Sequence, residues 1–174
     1  MRYRRYSTIL FLSLFCILIC SLTLSAEDRH IIVIKKVIDG DTLRVLYDGK
    51  EEKLRLIGMD APESRINPRA EKQSASETKE LQTILKMGRG ATNFVRSLVK
   101  PGDRLKIEFD VVKRDRYQRL LGYVYLSNGK MLNEEIVKAG YANLLTIPPN
   151  VRYQGRFIEA HVEAREHKRG FWKQ

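Results

Sequence analysis

Cysteine is almost absent from this sequence. Of its 174 residues only Cys16 and Cys20 are cysteines, and both lie in an apolar run near the start. The rest of the chain has neither a thiol nor a disulfide, which excludes thiol catalysis and cysteine-ligated zinc there. The three histidines, His30, His161 and His167, are far apart in the sequence. We therefore expect them to pack or to lie at the surface, with no zinc site.

The first 26 residues have the order of segments that is typical of a secretory signal peptide. Three arginines among the first five residues are followed by an apolar run, and small residues then precede the charged Glu27. We expect cleavage after Ala26, leaving a single exported domain over 27–174 that is secreted or periplasmic. Because the apolar run is only slightly shorter than the ~20 residues of a membrane span, an uncleaved anchor is the alternative.

Acidic residues are outnumbered by basic ones throughout the chain. The sequence has 32 Lys and Arg against 21 Asp and Glu, a formal net charge of +11. Removing the predicted signal peptide takes away three arginines and no acids, so the remainder stays basic. This excess fits binding to nucleic acid, anionic lipid or a cell-wall polyanion, and it also fits simple solubility. Charge alone does not decide among them.

Five segments have the composition and alternation of β-strands. β-Branched residues dominate the first, and the strong hairpin signal Asp48-Gly49 separates the second from the third. The predicted strands are 30–38, 42–47, 53–58, 104–110 and 120–126.

A helical period fills the gap between the third and fourth predicted strands. It follows a capping-box spacing at Ser74 and Glu77 and ends at Lys100-Pro101-Gly102. Gly88 and Gly90 weaken its middle, so two helices with a kink are an alternative. Two later helices are predicted at about 133–140 and 152–168.

This order of elements predicts an α+β, mainly β fold. It matches a five-stranded Greek-key barrel of the oligonucleotide-binding (OB) type, with a helix between strands three and four and two C-terminal helices. An open α+β sheet is the alternative.

Several acids and one arginine are predicted to converge at one end of this barrel. Asp39 and Asp41 flank a glycine at a strand junction, which by itself would be an ordinary turn. Arg55, however, lies inside an apolar strand, where an arginine needs a partner or a ligand. Asp60 and Glu63 follow in the loop that leaves this strand. Two carboxylates, a backbone carbonyl and waters would suit calcium, with magnesium and manganese as alternatives.

A second cluster of charge, Lys113–Arg119, precedes the fifth predicted strand. Most of it is typical of an exposed turn. Arg119 differs because apolar residues follow it at once, and an arginine there can present a two-pronged donor to a phosphate. Tyr117 and Tyr125 are candidates for stacking on a base, although packing in the barrel explains Tyr125 equally well.

Three spaced motifs together resemble the staphylococcal (micrococcal) nuclease, or thermonuclease, family. They are Ile38–Thr42, Arg55–Glu63 and Asp115–Arg119, and the resemblance covers about residues 31–172. It implies an OB-fold and hydrolysis of DNA and RNA to 3′-phosphate ends. The implied site consists of Ca²⁺ held by Asp41, Asp60 and the Ala61 carbonyl, and the catalytic residues Arg55, Glu63 and Arg119. We further expect Asp39 and Tyr117 to support this site and the protein to be a monomer.

The sequence also departs from the family pattern. Ala61 replaces a threonine but keeps the carbonyl, while Thr146 and Pro148 stand where the family has tyrosines near the nucleotide. The segment 69–87 is longer and is expected to extend the first helix. A catalytically inactive nucleic-acid-binding module and an exported lipid- or wall-binding protein are the competing hypotheses. The second of these does not explain the acidic cluster.

One local detail conflicts with the implied site. A strict two-residue turn at Asp48-Gly49 would place Arg55 on the opposite sheet face from Asp41, because side chains alternate along a strand. The sequence therefore predicts a bulge or a wider turn in this hairpin.

Overall fold

A computed structural model describes residues 29–64 and 78–173. The predicted signal peptide and the predicted capping box at Ser74 and Glu77 lie outside these residues. None of the described helices is both long enough and apolar enough to cross a membrane. In this part of the chain the strands are β1 Arg29–Val37, β2 Thr42–Tyr47, β3 Lys50–Leu56, β4 Gly58–Asp60, β5 Arg104–Glu108, β6 Leu120–Tyr125 and β7 Asn143–Leu145. The α-helices are α1 Thr78–Leu98, α2 Leu132–Lys138 and α3 Gln154–Glu166.

Five of the strands close into a barrel in the order β1-β2-β3-β6-β5. β3 pairs with β6 in parallel and all other neighbours are antiparallel. Alternate residues such as Ile32, Ile34, Leu43 and Val45 are fully buried inside it. These are the five strands expected from sequence, so the prediction of a mainly β, five-stranded OB barrel is confirmed.

A small second sheet, formed by β4 and β7, was not predicted. The third predicted strand was extended to residue 58, but β3 ends at Leu56 and Gly58 starts a new direction. Gly58 has φ +84°, and a β-carbon there would lie 2.3 Å from the ring of Phe157. Only glycine combines this conformation with this contact. The chain thus leaves the barrel early and carries Asp60 toward the site.

The hairpin between β2 and β3 has a strict two-residue turn. Asp48 and Gly49 both have positive φ, which is the type I′ geometry that suits the twist of paired strands. The register runs without a shift from Tyr47 opposite Lys50 to Thr42 opposite Arg55. The prediction of a bulge or wider turn here was therefore wrong.

The helix α1 is continuous over 21 residues and passes through Gly88 and Gly90 without a break. Leu85, Ala91 and Val95 are buried along one side of it, and it packs against β1 and α2. Tertiary packing compensates for the helix stability that the two glycines remove, so α1 is a single helix and the two-helix alternative is not found. The expected extension of this helix is present from Thr78 onward.

A buried polar network around Glu108 connects the residues just before α3 to the barrel. Its carboxylate accepts hydrogen bonds from the hydroxyls of Tyr125 at 2.7 Å and Tyr153 at 2.8 Å, and from Arg152. Burial raises the pKa of this carboxyl, but these hydrogen bonds to the ionised form outweigh burial and hold the pKa below its ordinary 4.5. The ionised carboxylate therefore stabilises the folded state.

This network predicts a specific dependence of stability on pH. A carboxyl whose pKa is lower in the folded chain contributes stability above its unfolded pKa and loses it as pH falls through the folded value. We expect Glu108→Gln to lower the free energy of unfolding by about 2 kcal/mol at neutral pH, because buried donors lose a charged acceptor. That difference should shrink steadily below about pH 4.5. Urea unfolding at a series of pH values measures it, and a difference independent of pH would contradict the assignment.

Candidate active site

Arg55 forms the centre of a cluster of charged side chains at one end of the barrel. Its Nη1 donates to Oδ1 of Asp41 and its Nη2 donates to Oδ1 of Asp60. Only 8% of Arg55 and 2% of Asp41 are exposed, so this is a buried ion pair. The predicted convergence of these three residues is confirmed.

Asp41 reaches Arg55 without a bulge because Asp41 lies outside β2. It sits in a bend one residue before the strand starts, where the alternation of side chains does not apply. Its backbone still pairs with β3, since the Leu56 N–H donates to its carbonyl at 2.8 Å. Its carboxylate, however, turns toward Thr42, whose hydroxyl donates to Oδ1 at 3.0 Å. Thr42 lies directly opposite Arg55 in the pairing of β2 with β3. The Asp41 carboxylate, which turns toward Thr42, therefore meets the Arg55 side chain at this position.

Backbone N–H groups tie Asp41 to both neighbouring acid-bearing segments. The N–H of Ala61 donates to Oδ2 at 2.9 Å, and the N–H of Asp41 itself donates to Oδ1 of Asp39 at 3.2 Å. Burial raises the pKa of Asp41 from its ordinary 3.8 to about 7; Arg55 opposes this rise, and the charges of Asp39 and Asp60 add to it. The charged neighbours of the Asp41 carboxyl group are thus one arginine and two further carboxylates.

The cluster has the donor chemistry of a site for a hard cation. The described residues gather no set of three or more Asp, Glu, His or Cys side chains around one point. A cation would therefore be held by two carboxylates, Asp41 and Asp60, with the Ala61 carbonyl and water completing the oxygen ligands. The excess of carboxylates over guanidinium favours a positive ion, and the absence of nitrogen and sulfur donors favours Ca²⁺ or Mg²⁺ over zinc. The residues fit such an ion.

The helix α1 packs directly against the two loops that carry these acids. At Gly40, between Asp39 and Asp41, a β-carbon would lie 2.7 Å from that of Ala91 in the helix. At Gly88 a β-carbon would lie 2.1 Å from the backbone oxygen of Glu63. Both glycines are therefore required by close approach. The helix fixes the position of half-buried Glu63 through this contact.

A cleft of about 470 Å³ opens beside the cluster. Arg55 and Arg119 both line it, so the structure brings these two predicted residues to one cavity, although they come from β3 and from the loop before β6. The remaining wall is mostly apolar, formed in part by Val112, Leu145 and Ile147.

Asp115 orients Arg119 within this cleft. Nε of Arg119 donates to Oδ2 of Asp115 at 2.7 Å, and its backbone N–H donates to Oδ1 at 2.9 Å. Burial raises the pKa of Asp115, but the bonds from Arg119 outweigh it and leave that pKa lowered. No described residue accepts a hydrogen bond from Nη1 or Nη2 of Arg119. The outer edge of this guanidinium can therefore bind an anion.

The two tyrosine candidates have different positions. Tyr117 is 66% exposed, and its ring lies 5.7 Å from the guanidinium carbon of Arg119 and 4.8 Å from that of Arg116. Tyr125 is buried, with its hydroxyl on Glu108, so it packs in the barrel and does not stack on a base. Tyr117 lies beside Arg119, and its supporting role stays a prediction.

Sequence reasoning missed several residues of the cleft. Asp115 and Arg116 were assigned to an exposed turn, and Pro148 was noted only as a departure from the family pattern; all three line the cleft. The spacing of Asp115 and Arg119 was a usable signal for an oriented arginine. For Pro148 the signal was its place where the family has a tyrosine near the nucleotide, and the pairing of β7 with β4 brings that segment here.

The comparison with known families decides the identity of this fold and site. The family described as staphylococcal nuclease homologue matches residues 53–174. The chain belongs to the staphylococcal nuclease family. It is 33% identical over 149 residues to the thermonuclease of Staphylococcus hyicus, and the aligned region covers 86% of this chain and 79% of that protein. It is also 33% identical to the thermonuclease of Staphylococcus intermedius, covering 81% and 75% of the two chains. Endonuclease YncB of Bacillus subtilis is 32% identical, covering 81% and 61%.

Membership of the staphylococcal nuclease family gives the site its general meaning. The barrel is the OB-fold of that family, and the protein is a nuclease. The buried carboxylate–arginine cluster and the cleft with Arg119 lie at the barrel end that the three sequence motifs indicated.

Two glycines of α1 offer a matched test of its contact with the Glu63 loop. We expect Gly88→Ala to destabilise the fold by about 2 kcal/mol, because the added methyl group collides with the Glu63 backbone. Gly90→Ala, two residues away, meets the rings of Tyr141 at 3.6 Å and Phe171 at 3.9 Å, both ordinary contacts, and should stabilise by about 0.5 kcal/mol through helix propensity. Chemical denaturation of both variants measures this, and equal effects would disprove the close contact.

Proposed function

We propose that this protein is an exported, calcium-dependent nuclease that hydrolyses phosphodiester bonds of DNA and RNA and leaves 3′-phosphate ends. The observation that carries the proposal is the joint placement of Arg55 and Arg119 on one cleft, with Arg55 also bound to two carboxylates. Membership of the staphylococcal nuclease family supports the same reaction class.

The two arginines supply the positive charge that phosphoryl transfer needs. Attack on a phosphodiester builds negative charge on its non-bridging oxygens, and preorganised donors aimed there lower the barrier. Arg119 is held in place by Asp115 through Nε, which leaves its outer nitrogens for these oxygens. Arg55 is held by Asp41 and Asp60 and reaches the same cleft.

Glu63 is the proposed partner of the attacking water. It lies three residues after Asp60 in the loop that α1 holds from outside. A carboxylate there can orient the water or accept its proton as it attacks phosphorus. Asp39 supports the cluster through its bond to the Asp41 backbone.

Asp41, Asp60 and the Ala61 carbonyl are the proposed calcium ligands. When bound, Ca²⁺ supplies Lewis-acid stabilisation of charge on the phosphate. The excess of carboxylate charge around Arg55 supports a divalent cation at this place. The apolar wall of Leu145 and Ile147 would hold the sugar and base, with Tyr117 near the phosphate end of the cleft.

Export rests on the N-terminal sequence. The short basic segment, the apolar run and the small residues before Glu27 support a cleavable signal, and a chain without cysteine after Cys20 suits an oxidising compartment. The proposed exported form is a monomer.

Calcium should stabilise the protein through the proposed ligands. A ligand that binds only the folded state at 100 times its Kd adds about 2.7 kcal/mol, so the Tm should rise with added Ca²⁺. We expect Asp60→Asn to lose most of this rise. Asp48→Asn is the control, because asparagine suits the turn that Asp48 occupies. Thermal scans with calcium and with a chelator measure the effect. A full calcium shift in Asp60→Asn would remove this residue from the ligand set.

Cleavage of single-stranded DNA tests the catalytic roles. We expect calcium-dependent cleavage that yields 3′-phosphate ends, as read by mass spectrometry of the products. Glu63→Gln should lower kcat by about 10²-fold or more, and Arg119→Lys by a similar factor, since lysine cannot reproduce the two-pronged contact. Glu51→Gln, an exposed change of the same kind, should retain full activity. Arg55 is unsuitable here because removing it leaves two carboxylates without their shared cation.

Tight binding without cleavage in the presence of calcium would instead support the inactive binding module. Wild-type kcat in Glu63→Gln would show that its assigned role is wrong.

A further inference from the structure

A second pocket, of about 220 Å³, lies beside the active site and shares no lining residue with the Arg119 cleft. Its wall combines one face of α1 with the two acid-bearing loops. The lining residues are Ile38, Ser64, Arg89, Thr92, Asn93 and Arg96. We call it the α1 pocket.

The α1 pocket adjoins the residues assigned to the reaction. Ile38 directly precedes Asp39, and Ser64 directly follows Glu63. The helix that forms the opposite wall touches the Glu63 backbone at Gly88, one residue before Arg89. The acid-bearing loops therefore lie between the α1 pocket and the cleft.

Two arginines make this pocket strongly basic. Arg89 and Arg96 are seven residues apart, and they therefore project from nearly the same side of α1, separated by about 10 Å of helix rise. Both are exposed, and neither forms a hydrogen bond or ion pair with any described residue. None of the described lining residues is acidic. Guanidinium groups without an acceptor, placed together over a cavity, are suited to bind an oxyanion.

The other groups in the wall suit a phosphate better than a base. Ser64 and Asn93 offer a hydroxyl and an amide donor, while the hydroxyl of Thr92 is already used on the Gly88 carbonyl at 2.8 Å. Among the lining residues that the structure describes there is no aromatic ring on which a base could stack.

We propose that the α1 pocket binds a backbone phosphate of the polynucleotide, on the side of the scissile bond opposite the Arg119 cleft. The inference rests on the proposed nuclease function and extends it. When the reacting phosphate of a strand lies at the carboxylate–arginine cluster, the nucleotide on one side of that phosphate occupies the Arg119 cleft. The strand continues past Glu63 in the other direction, where Arg89 and Arg96 neutralise its charge. The enzyme thereby prefers long chains to dinucleotides.

The test compares two double variants with the same change in net charge. Arg89→Gln/Arg96→Gln removes the proposed contacts, and Arg104→Gln/Lys106→Gln removes two exposed cations of β5 that line neither pocket. Binding of a single-stranded DNA of about 20 nucleotides is measured by fluorescence anisotropy in chelator over a range of salt. Each lost phosphate contact on a single strand lowers the salt slope by about 0.7. We expect the first variant to bind about tenfold more weakly at low salt, with a slope smaller by about 1.4.

Cleavage separates a binding contact from a structural effect. With calcium, kcat/KM for the long strand should fall about tenfold in Arg89→Gln/Arg96→Gln, while kcat/KM for a dinucleotide changes less than twofold. Equal losses on both substrates would overturn the proposal, because the arginines would then act through the active-site structure. Equal affinity and salt slope in the two double variants would overturn it as well. If the wild type cleaves nothing, the proposed function fails, yet the anisotropy comparison still decides whether the pocket binds phosphate.

Discussion

The site depends on one buried guanidinium. Arg55 lies between Asp41, in the bend before β2, and Asp60, the last residue of β4. Two carboxylates this close together repel each other, and burial removes part of their hydration. A shared cation compensates for both effects. Their common arginine therefore determines where both loops lie. The same guanidinium also lines the cleft, so the group that holds the loops together is available to the substrate.

The helix α1 supplies the second constraint, from outside the barrel. The Ala91 methyl group packs against Gly40 and the Gly88 backbone packs against the Glu63 carbonyl, in each case more closely than a β-carbon in place of the glycine would allow. The helix therefore contacts both acid-bearing loops. A glycine inside a helix lowers the stability of that helix by about 1 kcal/mol relative to alanine. At Gly88 this loss accompanies the close contact, because only glycine leaves room for the Glu63 backbone. The same helix carries Arg89 and Arg96, so the element that positions Glu63 also borders the pocket beside it.

Much of the fold and most of the site could be predicted from local sequence. The strand pattern, the Asp48-Gly49 turn and an arginine inside an apolar strand all have short-range causes, and the barrel and the Asp41–Arg55–Asp60 contact agree with them. The errors arose where a local rule was applied beyond its range. Asp41 was treated as a strand residue, although its place in the bend before β2 frees its side chain from alternation. Gly88 was interpreted as a weak point of a helix, whereas packing uses it as a contact.

The sequence by itself determined the chemistry of this protein: its acids and arginines, the oxygen-only donor set, the basic charge and the family to which it belongs. Only the tertiary structure decided which of these groups meet. The apolar wall brought in by β7 and the closing of a cavity beside Arg89 and Arg96 by Ile38 and Ser64 depend on contacts between segments distant in sequence. Periodicity reports which face of an element is apolar, but it does not report which other segment will cover that face.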